Sequence, residues 1–347
     1  ASRFLMTSPF SKVKLSASRL KTAKTCSWIY WSKYHLKLPD KSNEGSARGT
    51  ICHLIFECLG NKRHLPTYHK IIKTKDVFVS PGVKRLIHKH AALLSVNDDD
   101  NIALIKKMVL AGLKHDFFGT ESGTLSDSHS EYEFDLHVQN KKQNYRIKGY
   151  IDKLFLYKKN NSAVIRDFKT SKQLLKGEEE TKNLQDYMYS LAVRHLFPDY
   201  KKRCSEFLFL KFDLNGEGTM RMKKLSEAKL NKFETELTES QAYLEKFSLR
   251  QARGAYAADK PRPKDGSFGG QIVCGFAKFR GQLKKDGNPM WHCVYKFPFD
   301  YYALYDVNDK LISTEFPENY HALVRKRKKG QVIKKVHYSG CPRWNYT

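Results

Sequence analysis

The clearest fold signal in this sequence is residues 145–169, which read YRIKGYIDKLFLYKKNNSAVIRDFK. Residues 145–157 and 162–169 are rich in β-branched and aromatic residues, which is typical of strands. The four residues between them are Lys-Lys-Asn-Asn, which favour a hairpin-type turn. We therefore predict two strands joined by a hairpin turn.

The segments on either side of this hairpin indicate an α/β protein. Further strands are predicted over residues 131–138 and 205–213, and helices over 16–34, 49–59, 83–95, 101–116, 183–197 and 225–250. This order favours a mixed central sheet flanked by helices. The composition shifts to Gly, Pro, Lys and aromatic residues after position 260. We predict a core over residues 1–260, which includes the N-terminal helical part, and a basic, aromatic-rich C-terminal subdomain over 261–347.

The charge of the chain indicates a polyanionic partner. Its 347 residues include 63 Lys and Arg against 36 Asp and Glu, a formal net charge of +27. A field of this sign attracts nucleic acid, and an anionic membrane surface or an acidic protein would also fit. Residues 1–39 and 320–347 contain no acid. The second stretch holds a basic run that we expect to contact phosphates, with a solvated patch or a nuclear localisation signal as alternatives: Arg325, Lys326, Arg327, Lys328 and Lys329.

Two further features concern the compartment. The sequence has no run of about 18 apolar residues, so no membrane span is predicted. Its seven cysteines are scattered, odd in number and free of CxxC pairs. This pattern favours an intracellular, reducing setting, such as the cytoplasm of a microbe or of a virus-infected host, with an organelle as the alternative.

The hairpin carries residues with a specific chemistry. Asp167 and Lys169 are two apart on one strand, so their side chains point to the same face. Asp152 lies on the preceding strand and can reach the same place. Two carboxylates form an oxygen-rich site suited to Mg²⁺ or Mn²⁺, and a lysine adds a point charge for a phosphate or a water. The set predicts metal-assisted phosphodiester hydrolysis. A surface ion pair is the alternative.

Residues on two predicted helices add to this set. His53 follows Gly49 by four positions on a largely apolar helix, and imidazole is an acceptable Mn²⁺ ligand beside carboxylates. A core histidine is the alternative. Gln185 and Tyr189 are four apart, so they share one helical face.

The motifs and their order resemble a known family. They are SxSRLxxxxxC at 16–26, GxxxH at 49–53, GxxD at 149–152, DxK at 167–169 and QxxxY at 185–189. The series is similar to that of the RecB-like nucleases of the PD-(D/E)XK superfamily. It covers residues 16 to 189, roughly half of the chain. The resemblance implies a restriction-endonuclease-like α/β core.

The resemblance also implies individual roles. The catalytic residues would be Asp152, Asp167, Lys169, Gln185 and Tyr189, and the metal ligands would be His53, Asp152 and Asp167. Gln185 and Tyr189 would contact the DNA strand. The third acid of the family is often Glu, and here it is Asp167. Glu131 matches a further acidic position of the family, with a solvated strand residue as the alternative.

The function implied is that of a Mg²⁺- or Mn²⁺-dependent deoxyribonuclease. We expect an exonuclease that acts on DNA ends or single strands in recombination, repair or replication, with a helicase or a replication or recombination protein as a possible partner. The alternatives are a structure-specific endonuclease and a non-catalytic nucleic-acid-binding subunit. Three aromatic residues are candidates to stack bases, with burial in the core as the alternative: Trp291, Tyr295 and Trp344.

Several relatives in that family carry a 4Fe–4S cluster, held by one N-terminal cysteine and a C-terminal CxxCx₅C-like group. Cys26 matches the N-terminal cysteine of those relatives. Cys293 matches one cysteine of their C-terminal group, and the other two positions of that group hold no cysteine in this sequence. Cys274 and Cys341 could complete the four thiolates only at a spacing unfamiliar in the family. We therefore expect that the cluster is absent.

Overall fold

The computed structural model describes residues 13–40 and 43–345. The chain divides into two compact units. Within the described residues, the first unit comprises 13–17 and 43–242, and the second comprises 18–40 and 243–345. This division differs from the expected boundary after residue 260. The difference arises because the N-terminal segment 18–40 packs with the C-terminal part of the chain, which composition along the sequence does not reveal.

Helices and strands follow one another in the order expected of an α/β chain. The helices of the described residues are α1 Ala17–Thr25, α2 Ser27–Tyr34, α3 Glu44–Gly60, α4 Leu65–Thr74, α5 Pro81–Leu93, α6 Asp99–Lys114, α7 Leu184–Leu196, α8 Glu227–Glu245, α9 Leu249–Ala252 and α10 Tyr320–Lys326. The strands are β1 Asp127–Gln139, β2 Asn144–Tyr157, β3 Ser162–Lys169, β4 Lys202–Phe209, β5 Thr219–Arg221, β6 Phe299–Tyr305, β7 Leu311–Glu315 and β8 Val332–Tyr338.

The first unit is built on a five-stranded mixed sheet of order β1-β2-β3-β4-β5. Strands β2 and β3 form the predicted hairpin and pair antiparallel, with Lys153 opposite Arg166. Strands β3 and β4 are parallel, and α7 forms the crossover between them. The prediction of a mixed sheet flanked by helices is confirmed. The register of the hairpin leaves Asp152 and Asp167 as the next facing positions beyond Lys153 and Arg166.

Apolar side chains from α3, α5 and α6 form one buried core with residues of this sheet. Ile55, Ile87 and Val109 from the three helices are buried in one cluster with Phe168 and Leu208 from the strands. The Phe56 ring lies 4.2 Å from the ring of Phe168, measured between centroids. This packing fixes α3, and therefore His53, against the strand that carries Asp167 and Lys169.

The second unit contains both parts of the N-terminal helical segment. The sequence predicted one helix over residues 16–34, but the structure has two, α1 and α2, because Cys26 between them is extended (φ −158°, ψ 123°). Cys26 serves as the N-cap residue of α2 and is buried. The indole N–H of Trp28 donates to the hydroxyl of Tyr338, 2.7 Å away, and this bond ties α2 to β8.

A three-stranded antiparallel sheet of order β7-β6-β8 lies in the second unit, together with α9 and α10. The sequence did not predict these strands. Lysines and other polar residues interrupt the apolar pattern of β8, whose residues read VIKKVHY and are mostly exposed. Polar strands of this kind give a weak alternation signal.

A buried ion pair joins β3 to β4 in the first unit. Arg166 Nε lies 2.8 Å from Glu206 Oε2, and both side chains are almost fully buried (3% and 1% exposed). Arg166 also donates to the carbonyl oxygens of His115 and Asp116. Glu206 accepts a second bond from Arg221, whose side chain is 68% exposed. The pair therefore anchors the loop after α6 to the centre of the sheet.

We predict that Glu206→Ala lowers the free energy of unfolding by about 3–5 kcal/mol, because it leaves the Arg166 guanidinium buried without its counterion. Arg221→Met removes the exposed partner of the same carboxylate and should cost at most about 1 kcal/mol. Urea unfolding followed by fluorescence compares the two variants. Equal losses of unfolding free energy in the two variants would show that the buried ion pair contributes no more to stability than the exposed one.

Candidate active site

The β2–β3 hairpin and α3 together hold Asp152. The backbone N–H of Phe168 donates to Asp152 Oδ2 over 2.7 Å, which fixes the carboxylate at the end of the hairpin ladder. The His53 ring reaches the same place from α3, with Nδ1 3.2 Å from Asp152 Oδ1 and Nε2 3.2 Å from the carbonyl oxygen of Phe168. Two elements distant in sequence therefore converge on one carboxylate.

Glu131 completes a group that could bind a metal. One ligand atom from each of His53, Glu131 and Asp152 lies within 4.8 Å of the others. In the β1–β2 ladder Glu131 falls between Ser130, opposite Lys153, and Tyr132, opposite Ile151, so it faces Asp152. Its φ is +49°, a left-handed conformation that is uncommon for a residue other than glycine. Strained residues of this kind concentrate at functional sites.

A second group lies beside the first and contains Asp167 and Lys169. Lys169 Nζ is 2.6 Å from Asp167 Oδ2 and donates to Gln185 Oε1 over 2.6 Å. The Gln185 amide N–H₂ donates in turn to Asp167. Asn183 caps α7 and accepts from the backbone N–H of Gln185, which places this residue in the first helical turn. Two hydrogen bonds and one ion pair therefore link the three side chains in a ring.

The glycines of two motifs are required by close packing. A Cβ at Gly149 would lie 2.6 Å from the Phe134 ring and 3.0 Å from the Tyr189 ring. Tyr189 thus packs against the strand that carries Asp152. A Cβ at Gly49, one turn before His53 on α3, would lie 2.9 Å from Thr170 Oγ1. Each glycine lets a helix approach the site-bearing strands.

Charges in the site depend on one another. Burial and the nearby Asp167 carboxylate raise the pKa of Asp152, in opposition to the hydrogen bond from His53. Burial alone would lower the pKa of His53, but its bonds to Asp152 and Glu131 raise that pKa well above the usual value. Without an ion, the protonated imidazole therefore balances the carboxylates. A metal ligand must be unprotonated, so metal binding releases this proton.

The structure brings together all the candidate catalytic and metal-binding residues that the sequence indicates in the first unit: His53, Asp152, Asp167, Lys169, Gln185 and Tyr189. Asp167 does not belong to the group within 4.8 Å, because Lys169 and Gln185 hold its carboxylate. Glu131 takes that place. The sequence indicates Glu131 only as a family position, because its left-handed backbone leaves no mark in the residue pattern.

The predicted DNA-contacting residues of the second unit have mixed outcomes. The run from Arg325 to Lys329 is exposed at the end of α10 and in the turn that follows. Trp291 and Trp344 are also exposed. Tyr295 is fully buried, so the expectation that it stacks bases is wrong. Its ring packs edge-on against that of Tyr338.

Four cysteines of the second unit line one cavity: Cys26, Cys274, Cys293 and Cys341. All four are free thiols, and Cys26, Cys274 and Cys341 are buried. The expectation that a 4Fe–4S cluster is absent rests on the spacing of these cysteines along the chain. The fold brings all four to one cavity in spite of that spacing, so the spacing alone does not exclude a cluster.

Comparison with known proteins agrees with the arrangement in the first unit. The sequence model described as the PD-(D/E)XK nuclease superfamily matches residues 14–275. The chain belongs to the PD-(D/E)XK nuclease superfamily. This match spans every motif from Ser16 to Tyr189. No curated protein matches the sequence.

Membership of the PD-(D/E)XK superfamily agrees with the donor set of the site. Carboxylate oxygens from Glu131 and Asp152, joined by an imidazole nitrogen from His53, suit a divalent ion of the Mg²⁺ or Mn²⁺ type. Asp167 offers a further carboxylate beside them. The described residues include no helix that is both long enough and apolar enough to cross a membrane.

We predict that Glu131→Gln weakens Mn²⁺ binding at least about tenfold, because it removes one anionic group of the candidate metal site. Glu133→Gln is the matched control: Glu133 lies two residues further along β1, where it pairs with Lys148 instead. Isothermal titration with Mn²⁺ measures both. Equal affinity in the two variants would remove Glu131 from the site.

Proposed function

We propose that this protein is a Mg²⁺- or Mn²⁺-dependent deoxyribonuclease of the RecB-like type, and an exonuclease that acts on DNA ends or single strands. The observation that carries the proposal is the convergence of three acids, a histidine and a lysine at the end of one hairpin: Glu131, Asp152, Asp167, His53 and Lys169. Hydrolysis of a phosphodiester needs a bound cation, an activated water and a positive group near the phosphate, and this set provides for each.

The site residues form two groups with different roles, one that would hold the ion and one that would supply a positive charge. His53, Glu131 and Asp152 would hold the ion, with Asp167 beside them. When bound, Mg²⁺ or Mn²⁺ polarises a phosphoryl oxygen and lowers the pKa of a coordinated water. Phe168 keeps Asp152 in place through its backbone N–H. The ion site is therefore held by backbone and core packing.

Lys169 supplies the positive group. Its ammonium stands beside Asp167 and is partly exposed, so it can contact a phosphate or a water while staying anchored. Gln185 acts as a positioning residue, because its amide holds both Lys169 and Asp167. Charge developed on the phosphate in the transition state would then meet a fixed cation, which costs little reorganisation.

DNA as the substrate is supported by the surface of the second unit. Its basic run is exposed at residues 325–329. Between residues 262 and 291, exposed rings alternate with exposed lysines: Phe268, Phe276, Phe279 and Trp291 with Lys264, Lys278, Lys284 and Lys285. Rings that stack bases beside cations that contact phosphates are typical of single-strand binding without sequence preference.

We predict that Asp152→Asn and Asp167→Asn each abolish DNA cleavage, because each removes a carboxylate from the metal site, while DNA affinity stays close to that of the unaltered protein. Asp127→Asn, at an exposed position on β1, should keep full activity. The assay uses end-labelled linear and closed circular single-stranded DNA, and matching RNA, with Mg²⁺, Mn²⁺ or EDTA.

The substrates separate the competing functions. Release of nucleotides from linear DNA, with the circle intact, supports the exonuclease. Cleavage of the circle would instead indicate an endonuclease, and cleavage of RNA alone would contradict the DNA assignment. If no substrate is cut while DNA still binds, the chain is a binding subunit and the proposed function fails.

We also predict that replacing Arg325, Lys326, Arg327, Lys328 and Lys329 with Gln makes DNA binding less dependent on salt. Each lost phosphate contact should reduce the log–log slope by about 0.7 on single strands, so the full change is at most roughly 3.5. Fluorescence anisotropy over a range of salt concentrations gives the slope. Lys158→Gln with Lys159→Gln, in the exposed β2–β3 turn, is the control. An unchanged slope in the five-residue variant would exclude this run from the DNA contact.

A further inference from the structure

Lys153, the residue after Asp152 on β2, is a buried cation without an acidic partner. It is 3% exposed, and because side chains alternate along a strand it points to the face of the sheet opposite Asp152. Among residues 13–40 and 43–345, no carboxylate lies within ion-pair distance of its ammonium. Lysines are seldom buried unless they are paired, because the loss of hydration costs free energy. A lysine in this position points to a function for its charge or for its hydrogen bond.

The Lys153 ammonium is held between an aromatic ring, a hydroxyl and the end of a helix. Nζ lies 4.0 Å from the centroid of the Phe117 ring and donates to Ser130 Oγ over 2.8 Å. Gly60 ends α3 beside them, and a Cβ there would lie 2.6 Å from Nζ and 2.8 Å from Ser130 Oγ. A cation is favoured over an aromatic face and near a helix C-terminus. These contacts fix the lysine and, through it, the serine hydroxyl.

Ser130 directly precedes Glu131, the residue of β1 that reaches the candidate metal site. Ser130 pairs with Lys153 in the β1–β2 ladder, so the hydrogen bond between their side chains reinforces this pair. Glu131, the next residue, has a φ of +49°. A residue other than glycine keeps a left-handed conformation only where the surrounding structure holds it there. The Lys153–Ser130 bond holds the chain immediately before this strained residue.

The charge of Lys153 interacts with the acids of the metal site. Burial and the like charge of Arg166 lower the pKa of Lys153 to about 8, whereas the carboxylates of Glu131 and Asp152 raise it. The negative groups that act on this ammonium are therefore candidate metal ligands. Lys153 lies directly behind the metal site and not in a remote part of the core.

We propose that the hydrogen bond from Lys153 to Ser130 positions Glu131 as a ligand of the divalent ion. With Ser130 held against β2, the left-handed backbone of the next residue directs the Glu131 carboxylate toward Asp152. In this role Lys153 touches neither the ion nor the substrate, so it is a positioning residue. The inference rests on the metal site of the proposed function, but it does not depend on DNA as the substrate.

The first test removes the hydroxyl of Ser130. Ser130→Ala should weaken Mn²⁺ binding at least about fivefold, because Glu131 relaxes and must return to its strained conformation before it can bind the ion. Ser130→Thr keeps a hydroxyl and should retain most of the affinity. Ser128→Ala, at an exposed position two residues earlier on β1, is the matched control. Isothermal titration of the full chain with Mn²⁺ alone measures each variant, and an unchanged affinity in Ser130→Ala would overturn the proposal.

A second background tests whether the effect of Ser130 passes through Glu131. In Glu131→Gln, which lacks the carboxylate, Ser130→Ala should cause no further loss of Mn²⁺ affinity. A general structural effect of the serine would instead weaken binding by the same factor in both backgrounds, and it would exclude the positioning role. A chain that binds no Mn²⁺ before any substitution would exclude this role as well.

Substitution of Lys153 separates position from charge. Lys153→Met keeps an unbranched side chain but removes the buried charge and the donor. The urea midpoint of unfolding should rise, because an apolar side chain has no charge to desolvate, while Mn²⁺ affinity should fall as in Ser130→Ala. Loss of a nearby positive charge by itself would strengthen the binding of a cation, so tighter Mn²⁺ binding would contradict the proposal. Lys159→Met, in the exposed β2–β3 turn, should change neither quantity.

DNA cleavage by the same variants keeps this inference separate from the proposed function. If the unaltered chain cuts no nucleic acid but the Mn²⁺ affinities follow the expected pattern, the positioning role holds and the nuclease proposal fails. If the chain cuts DNA but Ser130→Ala and Lys153→Met bind Mn²⁺ as the unaltered chain does, the nuclease proposal holds and the positioning role fails.

Discussion

The register of the β2–β3 hairpin is the constraint on which the active site depends. Pairing of Lys153 with Arg166 brings Asp152 beside Asp167, and the N–H of Phe168 then holds the Asp152 carboxylate. A slip of one residue would turn each of these side chains to the opposite face of the sheet. The buried pair of Arg166 and Glu206 and the apolar cluster around Phe168 stabilise the same register. Candidate active-site residues and core residues therefore alternate along the same strand, β3.

Much of this arrangement follows from local sequence rules. Period two places Asp167 and Lys169 on one face, the turn at 158–161 makes a hairpin, and the helical period aligns Gln185 with Tyr189. The positions of α5, α6 and α7 also follow from apolar periodicity. These features depend on residues close together in the chain, which is why the sequence alone is sufficient to predict them.

Features that depend on distant contacts were not predictable in this way. Glu131 reaches the site because its backbone is left-handed at the position of β1 that faces Asp152. A glutamate at that position of the sequence does not predict such a conformation. Cys26 breaks the N-terminal helix, and its segment packs with residues more than two hundred positions away. Cys26, Cys274, Cys293 and Cys341 come from four separate segments, and only the fold brings them to one cavity.

Buried charge in the candidate metal site is partly balanced by a proton. Protonated His53 lies against two carboxylates and offsets part of their charge, so a divalent cation must displace this proton to enter. Such a site suits an ion that exchanges with solvent.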